Sequence, residues 1–440
     1  MTPAARIAAV IEVLDRVAAG AAPADKVASA YLRARRYIGA KDRRAIGQRV
    51  FTLLRAQARL GWWCARAGLT AEARQRVLAG LLLIDGETLE AAAALFDGGR
   101  YHPPALEPAE EAAQAALSGQ GLAHPEQLAW VRLECPDWLL PGFEAAFGAG
   151  AEAELLALQE EAPLDLRVNG LKGEREAARR SLAEAGIDGA PTPYSPLGLR
   201  VAGRRAVTAT EAFRAGLVEV QDEGSQLLAL LTDARPGMAV CDLCAGAGGK
   251  TLALGAAMRG QGRLVAADVD PARLGAAGPR LRRAGLSGVA LRRLDGRGDP
   301  WLAAQAGGFD RVLVDAPCSG SGIWRRDPEA RWRLTPERLE ALQGIQDDLL
   351  RSAAALVAPG GRLAYATCSL LPEENEARLA AFLETARGFA PLPVEAVWSE
   401  VIGTTPPEGA GPAGALRLSP GRHGTDGFFL AIFERERRLG

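Results

Sequence analysis

The sequence predicts an α/β protein: a mostly parallel, seven-stranded sheet covered by helices over residues 216–440, with an all-helical domain at 1–150 and a small α+β subdomain at 151–215. Three observations predict it. From about residue 216, short apolar runs alternate with helical stretches, the pattern of a parallel sheet covered on both faces. Before residue 150 the apolar residues instead recur at three- and four-residue spacing. Between these regions, texture changes to one alternating strand, one helix and a proline-rich loop.

In the first region Ile7, Val10, Ile11, Leu14 and Val17 share one helical face, and Val50, Leu53, Leu54 and Gln57 continue the style. Gly39, Gly68, Gly98–Gly99 and Pro103–Pro104 punctuate it into short helices. In the middle segment, 164–169 alternates like a strand, 174–185 reads as a helix, and Pro191, Pro193 and Pro196 mark a loop. The last region offers strands at 238–243, 263–267, 289–294, 311–314 and 362–366, and a late apolar strand at 428–433 suited to an antiparallel position. Helices are expected at 251–258, 271–284 and 336–356.

Composition narrows the class. At 440 residues the chain exceeds what one core usually serves. No apolar run approaches the roughly 18 residues of a membrane helix, and the first residues lack a signal peptide's unbroken apolar core, so a cytoplasmic address is expected. Six cysteines in so long a chain should be free thiols. His102, His124 and His423 have no partners at ligand spacing, which argues against a metal. The net charge of -1 excludes a uniformly basic nucleic-acid binder, although seven arginines (273, 280, 282, 283, 292, 293, 297) face only Asp295 between 273 and 297. Of 52 basic residues 48 are arginine, so Lys250 in a glycine loop suggests a need for a compact ammonium.

Ligands of an open parallel sheet bind beyond the carboxyl ends of its strands. The first strand runs into Cys244, Ala245, Gly246, Ala247, Gly248, Gly249 and Lys250, small residues that let backbone approach a ligand ahead of a helix amino terminus. A phosphate loop would need glycine at Cys244, and a dinucleotide fingerprint glycine at 251. Cys241 and Cys244 imitate a redox pair but straddle a strand end. Asp268 and Asp295 follow the second and third strands, where they could accept from ribose hydroxyls and an adenine amino group. The fourth strand delivers Asp315 and Cys318, the fifth Cys368. A lone free cysteine is usually a small buried hydrophobe; two at matching strand ends, one beside an acid, suit covalent catalysis on a pyrimidine. One thiolate adds to carbon 6, the acid stabilises the adduct, and the second thiol assists release.

At these residues the chain resembles the NOL/NOP/Sun family of RNA 5-methylcytosine methyltransferases. The shared blocks are DLCAGAGGKT, DAPCSGSGIWRRDPEARW, YATCSLLPEENE and DGFF, with VQDEGSQLLALL at 220–231 at the entry to the catalytic domain. The segment YIGAKDRRAIGQRVFTLLRAQ is similar to the NusB-like RNA-binding domain of the family's bacterial ribosomal branch. The resemblance implies a Rossmann-like class I methyltransferase domain, S-adenosylmethionine held by Cys244 through Lys250, Asp268, Asp295 and Asp315, Cys368 as nucleophile and Cys318 as release cysteine. It implies RNA as substrate, 16S rRNA or an early small-subunit intermediate, for a monomeric enzyme without metal. One departure is that the family's CAAPGGK loop carries Gly246–Ala247 here. Trp324, Arg325, Arg326, Arg331, Trp332 and Arg333 interleave arginine with aromatics, a pattern that suits RNA phosphates and stacked bases; the alternative is a loop held by Asp327 and Glu329. Other readings are transfer to another RNA such as tRNA, a DNA cytosine enzyme using Cys318 alone, transfer to protein or a small molecule, and a non-catalytic ribosome-assembly factor.

Overall fold

A helix forms where apolar residues recur on one face and a cap satisfies its first N–H groups. Helix Pro3–Ala18 meets both conditions: Thr2 Oγ1 accepts from the Ala5 N–H at 3.1 Å, Pro3 opens the first turn, and Ile7, Val10, Val13, Leu14 and Val17 are buried. A computed structural model describes the chain except for residues 21, 204, 297, 410–413 and 438–440, so Arg297 of the basic run lies outside the described residues. The chain divides into two compact units, the first comprising Met1–Glu160 and Trp324–Leu334, the second Glu161–Ile323 and Thr335–Gly440.

The first unit is helical. Helices Ala40–Arg55, Gln57–Arg66 and Ala73–Leu83 pack with Pro3–Ala18 around Val13, Val50, Leu60, Val77 and Leu78. The detached segment Trp324–Leu334 is part of this unit, and that corrects the expectation for three of the six arginines and tryptophans assigned to RNA. Trp324, Arg325 and Arg331 are buried. The Arg331 guanidinium donates to the carbonyls of Glu134 (2.7 Å) and Leu158 (3.2 Å) and lies 4.7 Å from the Trp324 ring. Trp324 packs on Phe143 at 5.4 Å, and Arg55 donates to the Arg325 carbonyl at 2.8 Å. These side chains serve packing because the unit's own carbonyls and rings occupy their donors and faces. Trp332 is half-buried near Trp130, Arg326 is exposed, and the exposed Arg333 pairs with Asp327 (3.3 Å) and Glu329 (3.2 Å).

The second unit holds two sheets. Strands β1 (Leu164–Val168), β2 (Gly189–Pro191), β3 (Gly198–Val201) and β4 (Val218–Val220) form an antiparallel sheet in the order β2-β3-β1-β4, with helix Arg175–Glu184 on it. The larger sheet contains β5 (Ala239–Leu243), β6 (Arg263–Asp268), β7 (Val289–Arg293), β8 (Phe309–Asp315), β9 (Val357–Thr367), β10 (Phe389–Leu392), β11 (Leu416–Leu418) and β12 (Phe428–Arg435). Its order is β10-β12-β9-β8-β5-β6-β7, with β11 beside β12. The central pairings from β9 through β7 are parallel, and β12 runs antiparallel to β9 as expected. Among the described residues the sheet has eight strands, one more than the expected seven. The order reverses between β5 and β8, which opens a crevice at their carboxyl ends. The motif residues Cys244, Asp268, Asp315, Cys318 and Cys368 lie at the ends of β5, β6, β8 and β9 or just after them.

Candidate active site

The β5 chain end turns sharply. Cys244, Gly246 and Gly248 have φ values of 72°, 54° and 77°, and helix Gly249–Ala257 then begins. A Cβ on Gly246 would lie 2.5 Å from the Arg273 guanidinium, and Gly246 donates its N–H to Asp268 Oδ2 at 2.7 Å. Glycine in place of the family's alanine therefore makes room for an arginine packed on the loop. Arg280 donates to the Ala247 carbonyl at 2.7 Å, and Arg283 bonds Glu219. Arg292 pairs with Asp299 at 3.1 Å. Much of the basic run is thus engaged within the unit, by acids and a carbonyl that lie outside the run.

Asp268 is buried at the end of β6, where its second oxygen accepts from the Asp270 N–H at 2.8 Å. Both carboxylate oxygens are therefore aimed by backbone donors. Asp295 follows β7, is exposed, and lies 3.6 Å from Arg293. Cys241 is fully buried in β5, and burial pushes its thiol and that of Cys244 far above the ordinary range.

Asp242, which the sequence reading passed over, is the most constrained acid here. It is fully buried, Oδ2 accepts from Thr251 Oγ1 at 2.5 Å, and Oδ1 has no partner. Burial raises its pKa from 3.8 to about 7, against the opposing Thr251 hydrogen bond. The folded protein then holds a proton that the unfolded chain releases above pH 3.8, so stability falls as pH rises from about 4 to 7. Asp242→Asn should flatten that slope. Thermal unfolding of the ligand-free protein should show its largest gain over wild type at pH 8 and a shrinking gain toward pH 4.

Strands β8 and β9 bring the remaining groups together. Lys250 Nζ donates to Asp315 Oδ2 at 2.7 Å and lies 5.7 Å from the Phe428 ring. Burial is the largest single influence on the Lys250 ammonium and works to lower it, but the charge and hydrogen bond of Asp315, with the charges of Cys368 and Asp242, together make the net shift upward. Cys318 and Cys368, both half-buried, have their sulfurs 3.4 Å apart. The hydrogen bond with Cys368, then burial, then the negative charges of Cys368 and Glu374 push the Cys318 thiol well above its usual range. Two thiols in contact beside an ammonium–carboxylate pair can divide labour: one supplies a nucleophile, and the other holds a proton next to it. Among the described residues no cluster could hold a metal ion, and no helix is long and apolar enough to cross a membrane.

This constellation sits within residues 229–434, which match the family model described as 16S rRNA methyltransferase RsmB/F. A Synechocystis protein named "Probable ribosomal RNA small subunit methyltransferase B" is 34% identical over 74% of this chain and 71% of its own length. The chain belongs to the RsmB/F methyltransferase family. Residues 135–208 match the family's ferredoxin-like domain, which contains β1 to β3. Ribosomal RNA small subunit methyltransferase B of Yersinia pseudotuberculosis is 36% identical over 57% of either chain, so the match spans little more than half of that relative. The solved protein PH0851 is similar over 99% of both chains, with 27% identity and a TM-score of 0.80.

Proposed function

We propose that this chain transfers a methyl group from S-adenosylmethionine to carbon 5 of a cytosine in RNA, with 16S rRNA as the substrate. The observation that carries the reading is the pair of thiols 3.4 Å apart at the ends of neighbouring strands, beside Lys250 and Asp315. Protein or small-molecule methylation needs neither thiol, and a non-catalytic assembly factor needs no such contact.

The residues at the β5, β6 and β7 ends fit the donor. Asp242 offers a buried carboxylate oxygen without a partner, the helix after Gly248 presents free N–H groups, and Asp268 presents aimed acceptors. Bound there, S-adenosylmethionine supplies an electrophilic methyl group. Cys368 adds as thiolate to carbon 6 of the cytosine, which places electron density on carbon 5. Asp315 shares a proton with ring nitrogen 3, which takes it up as the adduct forms and returns it at elimination, and Lys250 fixes the Asp315 side chain. After transfer, carbon 5 loses its proton with the help of Cys318, the carbon–sulfur bond breaks, and Cys368 leaves as thiolate. The target base must leave its stack to reach these groups.

The helical unit, read as NusB-like, supports RNA docking, and Arg326, Trp332 and Arg333 are its proposed contacts from the detached segment. Bisulfite mapping of ribosomal RNA from cells with and without the protein tests the whole reading; an unchanged map of 16S rRNA overturns the substrate. The cofactor assignment has its own test. Asp268→Ala should weaken S-adenosylmethionine binding by about 1–3 kcal/mol in calorimetry, because charge-assisted acceptors are lost. Alanine at Cys318 or Cys368 should leave that affinity nearly unchanged.

A further inference from the structure

Both thiols sit on loops, and thiol chemistry is sensitive to placement of about an ångström. Each loop has a holder, and the two holders are neighbours in sequence. Glu374 is fully buried. Its carboxylate accepts from the Ser319 N–H at 2.8 Å and from the Ser319 hydroxyl. It also accepts from Gln346 Nε2 at 3.0 Å, and the same amide donates to the Pro317 carbonyl at 3.0 Å. The residues on either side of Cys318 are therefore held from one carboxylate. Asn375, also fully buried, does the same for Cys368. Its Oδ1 accepts from the Thr367 hydroxyl at 2.7 Å, and its Nδ2 donates to the Ser369 carbonyl at 2.9 Å.

Other contacts join the two loops. Ser369 Oγ lies 3.2 Å from Ser319 Oγ and 3.1 Å from Ser321 Oγ, and Gly322 donates its N–H to the Cys368 carbonyl at 2.9 Å. Tyr365 donates its hydroxyl to the Glu374 carbonyl at 2.7 Å, tying the holder back to β9. A buried carboxylate costs several kcal/mol unless its lone pairs are met. Three donors converging on Glu374 meet that condition, and all three serve the loop of Cys318.

We propose that Glu374 and Asn375 are positioning residues with separate duties, Glu374 setting Cys318 for release and Asn375 setting Cys368 for attack. Neither touches the reacting atoms. The inference deepens the reading above and rests on it for the two duties, although the clamp itself can be measured without RNA.

The test is alkylation of the folded protein by iodoacetamide, with the Cys318 and Cys368 peptides followed by mass spectrometry, beside trapping of RNA in denaturing gels. Glu374→Ala should speed labelling of Cys318 roughly tenfold relative to Cys368, and should accumulate protein–RNA conjugate. Asn375→Ala should speed labelling of Cys368 instead, and should slow conjugate formation and turnover by about tenfold to a hundredfold. Glu374→Gln keeps an acceptor for Ser319 N–H and Gln346 and can donate to the Ser319 hydroxyl, so it should restore most of both readouts. If the alanine variants do not fold, Ser319→Ala replaces them, with the Glu374→Ala direction at lower amplitude. Equal changes at both thiols, no change at either, or no rescue by Glu374→Gln would overturn the proposal. Separate labelling effects in the two variants, beside a wild-type protein that methylates no RNA, would uphold the clamp and overturn the RNA-methylation reading.

Discussion

Cys318→Ala should leave RNA covalently attached to the protein, and Cys368→Ala should not. The sulfurs are 3.4 Å apart at the ends of β8 and β9, so under the proposed mechanism both act on one pyrimidine ring and differ in which step they serve. Removing the nucleophile blocks the first bond to carbon 6, and turnover should fall roughly a thousandfold or more. Removing the release cysteine blocks only elimination, so the adduct should persist through denaturing electrophoresis because a carbon–sulfur bond does not depend on the fold. Each variant is incubated with substrate RNA and S-adenosylmethionine, and the gel is probed for a shifted protein band. Conjugates from Cys368→Ala but not from Cys318→Ala would exchange the two roles. Retained turnover in Cys368→Ala would defeat the covalent mechanism.

The parts of this site legible in sequence were those carried by strand ends. An apolar run followed by a small or reactive residue says where a parallel strand stops, and Cys244 through Lys250, Asp268, Asp315, Cys318 and Cys368 all follow such runs. Short edge strands carried a weaker signal. Phe389–Leu392 contains Pro391 and Leu416–Leu418 has three residues, too few to show alternation. Glu374 and Asn375 lie in the shared block YATCSLLPEENE but drew no role of their own, since nothing local distinguishes a carboxylate solvated at a surface from one satisfied by Ser319 and Gln346. Asp242 was hidden in the same way: its desolvation comes from surrounding strands and not from its neighbours in sequence. The segment 324–334 was the hardest case. Alternating arginine and tryptophan suits RNA equally well as it suits a core whose acceptors lie nearly two hundred residues away.

That last ambiguity has a decisive test in stability. Trp324→Ala should destabilise the helical unit by about 3–5 kcal/mol, the usual cost of emptying a fully buried aromatic site. The lost ring packs against Phe143 and beneath the Arg331 guanidinium, so its removal also strips one face from a buried cation. Burial already lowers Arg331 to about 10, and its hydrogen bonds to the Glu134 and Leu158 carbonyls are what keep it inside. Urea unfolding followed by circular dichroism should show the loss, while Arg326→Ala, at an exposed position, should stay within about 0.5 kcal/mol of wild type. RNA affinity should move in the opposite pattern: Arg326→Ala weakens it through a lost phosphate contact, and its salt dependence becomes shallower. A Trp324→Ala protein of unchanged stability that binds RNA poorly would return Trp324 and Arg331 to the RNA surface. The buried hydrogen bonds of Arg331 would then have to be broken by RNA itself, at a cost of several kcal/mol that a phosphate contact alone does not offset.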